Sequence, residues 1–401
     1  MKKQFLYALS PFILGQVLVL ASCAPAAEAL PQATISIEQP AVTKPADAGP
    51  LATTATSQEI NETASFPLSK PGPYFAGNRA YSFVDENRGG REVKVTIWYP
   101  ALEQKDANGR TIRRDAAPNT SRAPYPLILT EQNSGSMMFQ SLLATHGFVM
   151  AQINIPDHDD YDLTWDFNFL SWPQDFLFAL DQIAATPLAG LEGVIDTEKV
   201  GATGYSFGGD ISLTLGGARI DPEYYLSHCK QPPPIESKYS GAEGYLEITC
   251  SLAKKWDEFS VFAGEEITAG QEGLWQPVSD KRIRAVMPMA PSGAWLYGER
   301  GLAAVDRPVM MIAMSEDELI PYSSETAFIF KHFGDPESSL VSFLGNTHLD
   351  VFDARAANRM KHFVVAFFGY HLQGREDYLK FFSENFVSQF GDLAWGIYTG
   401  D

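Results

Sequence analysis

Residues 200–215 read Val200-Gly201-Ala202-Thr203-Gly204-Tyr205-Ser206-Phe207-Gly208-Gly209-Asp210-Ile211-Ser212-Leu213-Thr214-Leu215. A short apolar run ends at Gly204 and a helical apolar pattern begins at Gly208, so Ser206 falls where a strand turns into a helix. So tight a reversal leaves no room for side chains at Gly204 and Gly208, and Gly209 lets the new helix approach the sheet. The turn pushes Ser206 outward on strained backbone, the presentation a nucleophile requires. In a chain with 32 glycines the pattern G-x-S-x-G alone says little. The flanking strand and helix give it meaning.

Outward from this turn, apolar runs mark candidate strands at 80–84, 93–99, 127–130, 148–155, 200–204, 283–290, 309–313 and 340–344. Helical periodicity occupies 174–185, 208–215, 324–333 and 354–368. Strands alternating with helices predict an α/β fold: a mostly parallel sheet of about eight strands, flanked by helices, with ligands at the carboxyl ends of the strands. Residues 103–125 are polar and look like a surface insertion. A larger, cap-like insertion spans about 220–281, directly after the Ser206 helix, and carries Tyr224, Tyr225, Tyr239, Tyr245, Trp256, Phe259, Phe262 and Trp275. It either shapes a pocket or forms a satellite core.

The formal charge of −19, with no run of Lys or Arg, argues against a nucleic-acid partner, which demands clustered cations. At the N-terminus, Lys2 and Lys3 precede an apolar stretch from Phe5 to Leu20 that Pro11 interrupts, short against the roughly 20 residues needed to span a bilayer. The stretch ends Leu20-Ala21-Ser22-Cys23, which resembles the bacterial lipoprotein signal. That resemblance implies a signal peptide over 1–22, acylation of Cys23, a membrane as partner through the lipid, and residence at the cell envelope. Removing 1–22 takes away Lys2 and Lys3 and no acid, which moves the charge from −19 to −21. Residues 23–66, rich in Ala, Pro and Thr without hydrophobic period, read as a disordered tether, and 67–401 as the folded domain. Of the three cysteines, Cys229 and Cys250 remain inside the insertion and are expected to pair in an oxidising compartment.

A serine hydroxyl is a weak nucleophile at neutral pH and needs a histidine base oriented by a carboxylate. Among seven histidines, His348 stands in Leu344-Gly345-Asn346-Thr347-His348-Leu349-Asp350, a turn after the last candidate strand and before the last helix. His332 and His362 lie inside helical patterns, and His371 ends one. The acid is expected at Asp317, where the apolar run Val309–Ala313 opens into Glu316-Asp317-Glu318 ahead of Pro321; Glu316 and Glu318 are its competing neighbours. A tetrahedral oxyanion would take backbone N–H bonds from Phe207 and from the loop Gln132-Asn133-Ser134, with Ser134 preferred over Asn133. The acidic run Asp157-His158-Asp159-Asp160 reads as solvated, so neither a metal nor an organic cofactor is expected.

Taken in order, Thr96-Ile97-Trp98-Tyr99-Pro100, His146-Gly147-Phe148, Trp172-Pro173-Gln174-Asp175, the Ser206 turn, Asp317 to Pro321 and the His348 turn resemble the platelet-activating-factor acetylhydrolase and dienelactone hydrolase-like branch of the α/β-hydrolases, bacterial lipases and polyester hydrolases included. The resemblance covers about 67–390. It implies an α/β-hydrolase fold and cleavage of a small-molecule or lipid carboxylic ester through an acyl-enzyme. Gln132-Asn133 stands where many relatives have His-Gly, and Met289-Ala290-Pro291-Ser292 offers no carboxylate where the animal acetylhydrolases take their acid. Two other readings stay open: a serine peptidase of the prolyl-oligopeptidase type, although the chain has no room for the usual β-propeller, and a non-catalytic binding lipoprotein.

Overall fold

The computed structural model describes residues 65–132, 138–154, 167–232 and 242–400. Nine strands form one sheet: β1 (Phe75–Asp85), β2 (Arg91–Ala101), β3 (Tyr125–Glu131), β4 (Val149–Asn154), β5 (Ile195–Tyr205), β6 (Ile283–Met289), β7 (Met310–Met314), β8 (Ser339–Phe343) and β9 (Leu393–Trp395). Their order is β1-β2-β4-β3-β5-β6-β7-β8-β9. Pairings from β4 through β8 are parallel, whereas β1, β2 and β9 join antiparallel. All eight expected strands are present. β9 is an addition, too short at three residues to register as a hydrophobic period.

The nine helices that matter here are α1 (Gln140–Thr145), α2 (Asn168–Ala185), α3 (Phe207–Leu215), α4 (Pro222–Lys230), α5 (Ala242–Thr249), α6 (Trp256–Ala263), α7 (Ala294–Leu302), α8 (Thr326–Lys331) and α9 (Ala354–Gln373). Consecutive β3 residues divide between two cores: Leu127 and Leu129 pack with α2, α3, α7 and α8 residues such as Phe176, Leu213, Leu296 and Ile329, while Ile128 packs with α1 and α9 residues such as Leu143, Phe363 and Val364. Alternate side chains of a strand point to opposite faces, so the sheet is covered by helices on both sides. Each strand from β6 to β8 is buried almost throughout, which is why it reads as a continuous apolar run.

Helix α2 starts earlier than its periodicity suggests. The periodicity covers 174–185, yet the helix begins at Asn168 and carries Pro173 in its second turn. Phe169 and Trp172 lie in its first turns and are buried. Their burial offsets the hydrogen bond that proline cannot donate. A charge anchors the same helix: fully buried Asp175 takes a bidentate pair from Arg91 at 2.8 Å on each oxygen and a contact from Arg88 at 2.7 Å.

The insertion leaves the domain after Ile220 and returns beside it, the Trp275 amide donating to the Ile220 carbonyl at 2.9 Å. Asp221 caps α4 and accepts a bidentate pair from Arg300 at 2.7 and 2.8 Å. Cys229 and Cys250 are bonded to each other, tying α4 to the turn that follows α5. Its aromatic centre, Tyr225, Trp256, Phe259 and Trp275, is continuous with the main core through Tyr225 against Trp295, ring centroids 5.5 Å apart. The described part of the insertion thus contributes Tyr225, Phe259 and Trp275 to the domain's own core. At the other end of the fold Phe66 is fully buried against His362, Phe386 and Phe390, so the domain begins at least one residue before 67.

Candidate active site

β5 ends at Tyr205 and α3 begins at Phe207, leaving Ser206 alone at the turn with φ 59° and ψ −123°. A left-handed φ at a non-glycine residue is strained and persists only where the surroundings impose it. The Ser206 amide donates to the Met289 carbonyl at 2.9 Å, and the Ser206 carbonyl accepts from Gly209 at 2.7 Å. A Cβ on Gly204 would come within 2.5 Å of the Gly208 carbonyl group, and one on Gly208 would overlap the Glu131 carboxyl. Glycine is required at both positions by close approach rather than by φ. Ser206 itself is half-buried.

Phe207 occupies the first position of α3. Its ring lies between Phe169 and Trp172 of α2, at 4.7 Å from each. Phe167 stacks on Phe262 of α6 at 5.1 Å, carrying the aromatic seam from α2 to the insertion.

His348 follows β8 in a short 3-10 turn and is 4% exposed. Its Nδ1 lies 2.7 Å from Asp317 Oδ2. Asp317, in the loop after β7, has its other oxygen fixed by the amides of Leu319 at 2.9 Å and Ile320 at 2.8 Å. The carboxylate is thereby aimed before the imidazole meets it, and Nδ1 is held in the N–H form, leaving Nε2 as the basic nitrogen. Of the competing neighbours, Glu318 binds the histidine's backbone instead of its ring, its Oε2 accepting the His348 N–H at 2.7 Å. Asp350 accepts the Thr347 amide at 2.7 Å and closes a capping box around the turn.

Tyr205 joins this turn to the serine. Its hydroxyl donates to the His348 carbonyl at 2.6 Å and its ring centroid stands 5.1 Å from the imidazole. Burial, then the charges of Asp317, Glu318 and Asp350, drive the phenol far above its ordinary pKa, so the hydroxyl keeps its proton. Of the other histidines, His362 is fully buried among Phe66, Phe381 and Phe386, and His371 packs on Phe367.

Sequence reasoning named Glu318 only as a competitor of Asp317, and did not single out Tyr205, nor Glu131, Asp210 and Glu325, three acids that are each 2% exposed. A lone acid inside an apolar run is the signal that could have found Glu131 and Asp210. Ser134 and Asn133, the acidic run from Asp157, Trp165, Tyr239 and Cys23 lie outside the described residues.

No protein-family model matches this chain, and no curated protein matches it in sequence.

Proposed function

We propose that this protein is a serine hydrolase of the α/β-hydrolase fold that cleaves carboxylic esters through an acyl-enzyme. The observation that carries the reading is the Asp317–His348 pair, bonded at 2.7 Å and held by Tyr205, the residue that precedes a serine with φ 59°. The sheet order supports it, with Ser206 after β5, Asp317 after β7 and His348 after β8, at the carboxyl ends of parallel strands.

In this reading Ser206 Oγ attacks the ester carbonyl and His348 Nε2 takes its proton. Asp317 orients the imidazole and stabilises its charge. The oxyanion accepts the Phe207 N–H, with Ser134 as the second donor; one such donor is typically worth about 3 kcal/mol in the transition state. His348 then protonates the leaving alcohol, and water attacks the acyl-serine by the reverse relay. The enzyme works without metal or organic cofactor and is held to the cell envelope by lipid on Cys23.

The test compares p-nitrophenyl esters with peptide anilides on wild type and Ser206→Ala. Ester turnover that vanishes in the variant supports the reading. Preferential anilide cleavage would favour a peptidase, and saturable binding of esters without turnover a non-catalytic protein. Cys23→Ser should move the protein from membrane to soluble fraction; unchanged membrane retention contradicts the anchor.

A further inference from the structure

Strand β5, which delivers Ser206, lies between β3 and β6, and two buried carboxyl groups lie at the serine turn, one from β3 and one from the serine's own helix. From β3 comes Glu131, whose carboxyl fills the space beside Gly204 and Gly208, where any Cβ would overlap it. From α3 comes Asp210, which seizes the loop after β6: Oδ1 accepts the Ser292 amide at 2.5 Å, and the Ser292 hydroxyl donates to Oδ2 at 2.8 Å. That same loop accepts the Ser206 amide at Met289 and presses on Gly209, where a Cβ would meet the Met289 carbonyl oxygen at 2.9 Å. It carries a second left-handed non-glycine residue, Ala290, at φ 44°. Two strained turns therefore lie against each other, and Asp210 ties them together.

We propose that Asp210 and Glu131 are positioning residues for Ser206, two buried carboxyl groups that lock the serine turn onto its neighbouring strands. The inference rests on the reading of Ser206 as nucleophile. It places these acids outside the proton relay, since neither is bonded to His348.

Among the described residues, the groups that act on Asp210 are acidic or neutral: Glu131 from β3, Glu325 ahead of α8, Tyr297 of α7 and Ser292. Burial pushes the Asp210 carboxyl up to about 8, the Ser292 bonds pull it down, and the Glu131 charge adds to the rise. Glu325, which accepts the Ala294 amide at 2.9 Å, is pushed up to about 8 chiefly by burial as well. Below that range Asp210 holds a proton and grips Ser292 as a neutral acid. Above it, a charge appears beside two other carboxyl groups in a dry site, and that repulsion, which the Ser292 bonds offset only in part, destabilises the turn. Turnover should then fall as pH rises through about 8 for a reason distinct from the histidine.

The experiment follows kcat and KM for p-nitrophenyl acetate from acid to alkaline pH in wild type, Ser206→Ala, Asp210→Asn, Asp210→Ala and Glu131→Gln, with circular dichroism melts as the check on folding. Asp210→Ala is expected to lower kcat about tenfold or more at neutral pH with KM little changed. Asp210→Asn, which keeps the shape but cannot ionise, should restore most of that loss and abolish the alkaline fall. Glu131→Gln should shift the fall to lower pH by removing a like charge that raises Asp210. The same alkaline limb in wild type and Asp210→Asn overturns the inference, as does full kcat in a folded Asp210→Ala. If Asp210→Ala does not fold, the Asp210→Asn profile decides alone. Equal rates in wild type and Ser206→Ala overturn the nucleophile reading and this inference with it, an outcome distinct from loss of the pH signature alone.

Discussion

The Tyr205 hydroxyl donates to the backbone carbonyl of His348 at 2.6 Å, so the residue that precedes the serine also holds the histidine's turn in place. These residues stand 143 positions apart in sequence, and their bond is buried, where a hydrogen bond resists competition from water. Tyr205→Phe keeps the ring against the imidazole and removes only the donor. Leaving the His348 carbonyl without it should cost about 1–2 kcal/mol of stability and lower kcat about tenfold, with KM within about twofold. Denaturant melts and initial-rate kinetics measure both; an unchanged kcat would show that the bond does not position the histidine.

Asp317 and Glu318 are adjacent carboxylates with different partners, one on the imidazole and one on the backbone amide of the same histidine. Asp317→Asn should cost on the order of 10⁴ in kcat, because the amide no longer enforces the N–H at Nδ1 or stabilises the imidazolium. Glu318→Gln retains an acceptor for the amide and should cost about tenfold or less. Comparable losses in the two variants contradict the division of labour.

Two kinds of buried group set the pH dependence of folding in opposite directions. His362 is depressed from 6.5 to about 3, first by burial, so the unfolded chain binds a proton that the native state refuses. Its contribution to stability is lost as pH falls from about 6.5 toward 3, by at most about 1.4 kcal/mol per pH unit. Asp210 is raised from 3.8 to about 8, so the native state keeps a proton that the unfolded chain releases. Its contribution is complete below 3.8 and is lost as pH rises toward 8. Urea titrations at several pH values test this pair by difference. Wild type minus His362→Phe should change only on the acid side and wild type minus Asp210→Asn only on the alkaline side, and differences independent of pH would contradict it.

The sheet was legible because parallel strands buried on both faces leave unbroken apolar runs, as β6 to β8 do. The start of α2 was not legible, because the periodicity begins after Pro173 while burial of Phe169 and Trp172 carries the helix back to Asn168. Asp317 and His348 could be chosen from sequence because each follows a strand directly, in a position where chain order and side-chain type agree. The roles of Glu318, Tyr205 and Asp210 could not, although Glu318 stood out as a rival of Asp317 and Asp210 is a lone acid in an apolar run. Their partners are a distant amide, a distant carbonyl and a loop, and no local pattern records contacts 30, 143 and 82 residues away.

The most direct test of the central claim is peptide mapping by mass spectrometry after treatment with a fluorophosphonate. A single adduct on the peptide carrying Ser206, absent from Ser206→Ala and formed far more slowly in His348→Ala, is the predicted result. An adduct on another residue, or labelling that survives in Ser206→Ala, would contradict the account.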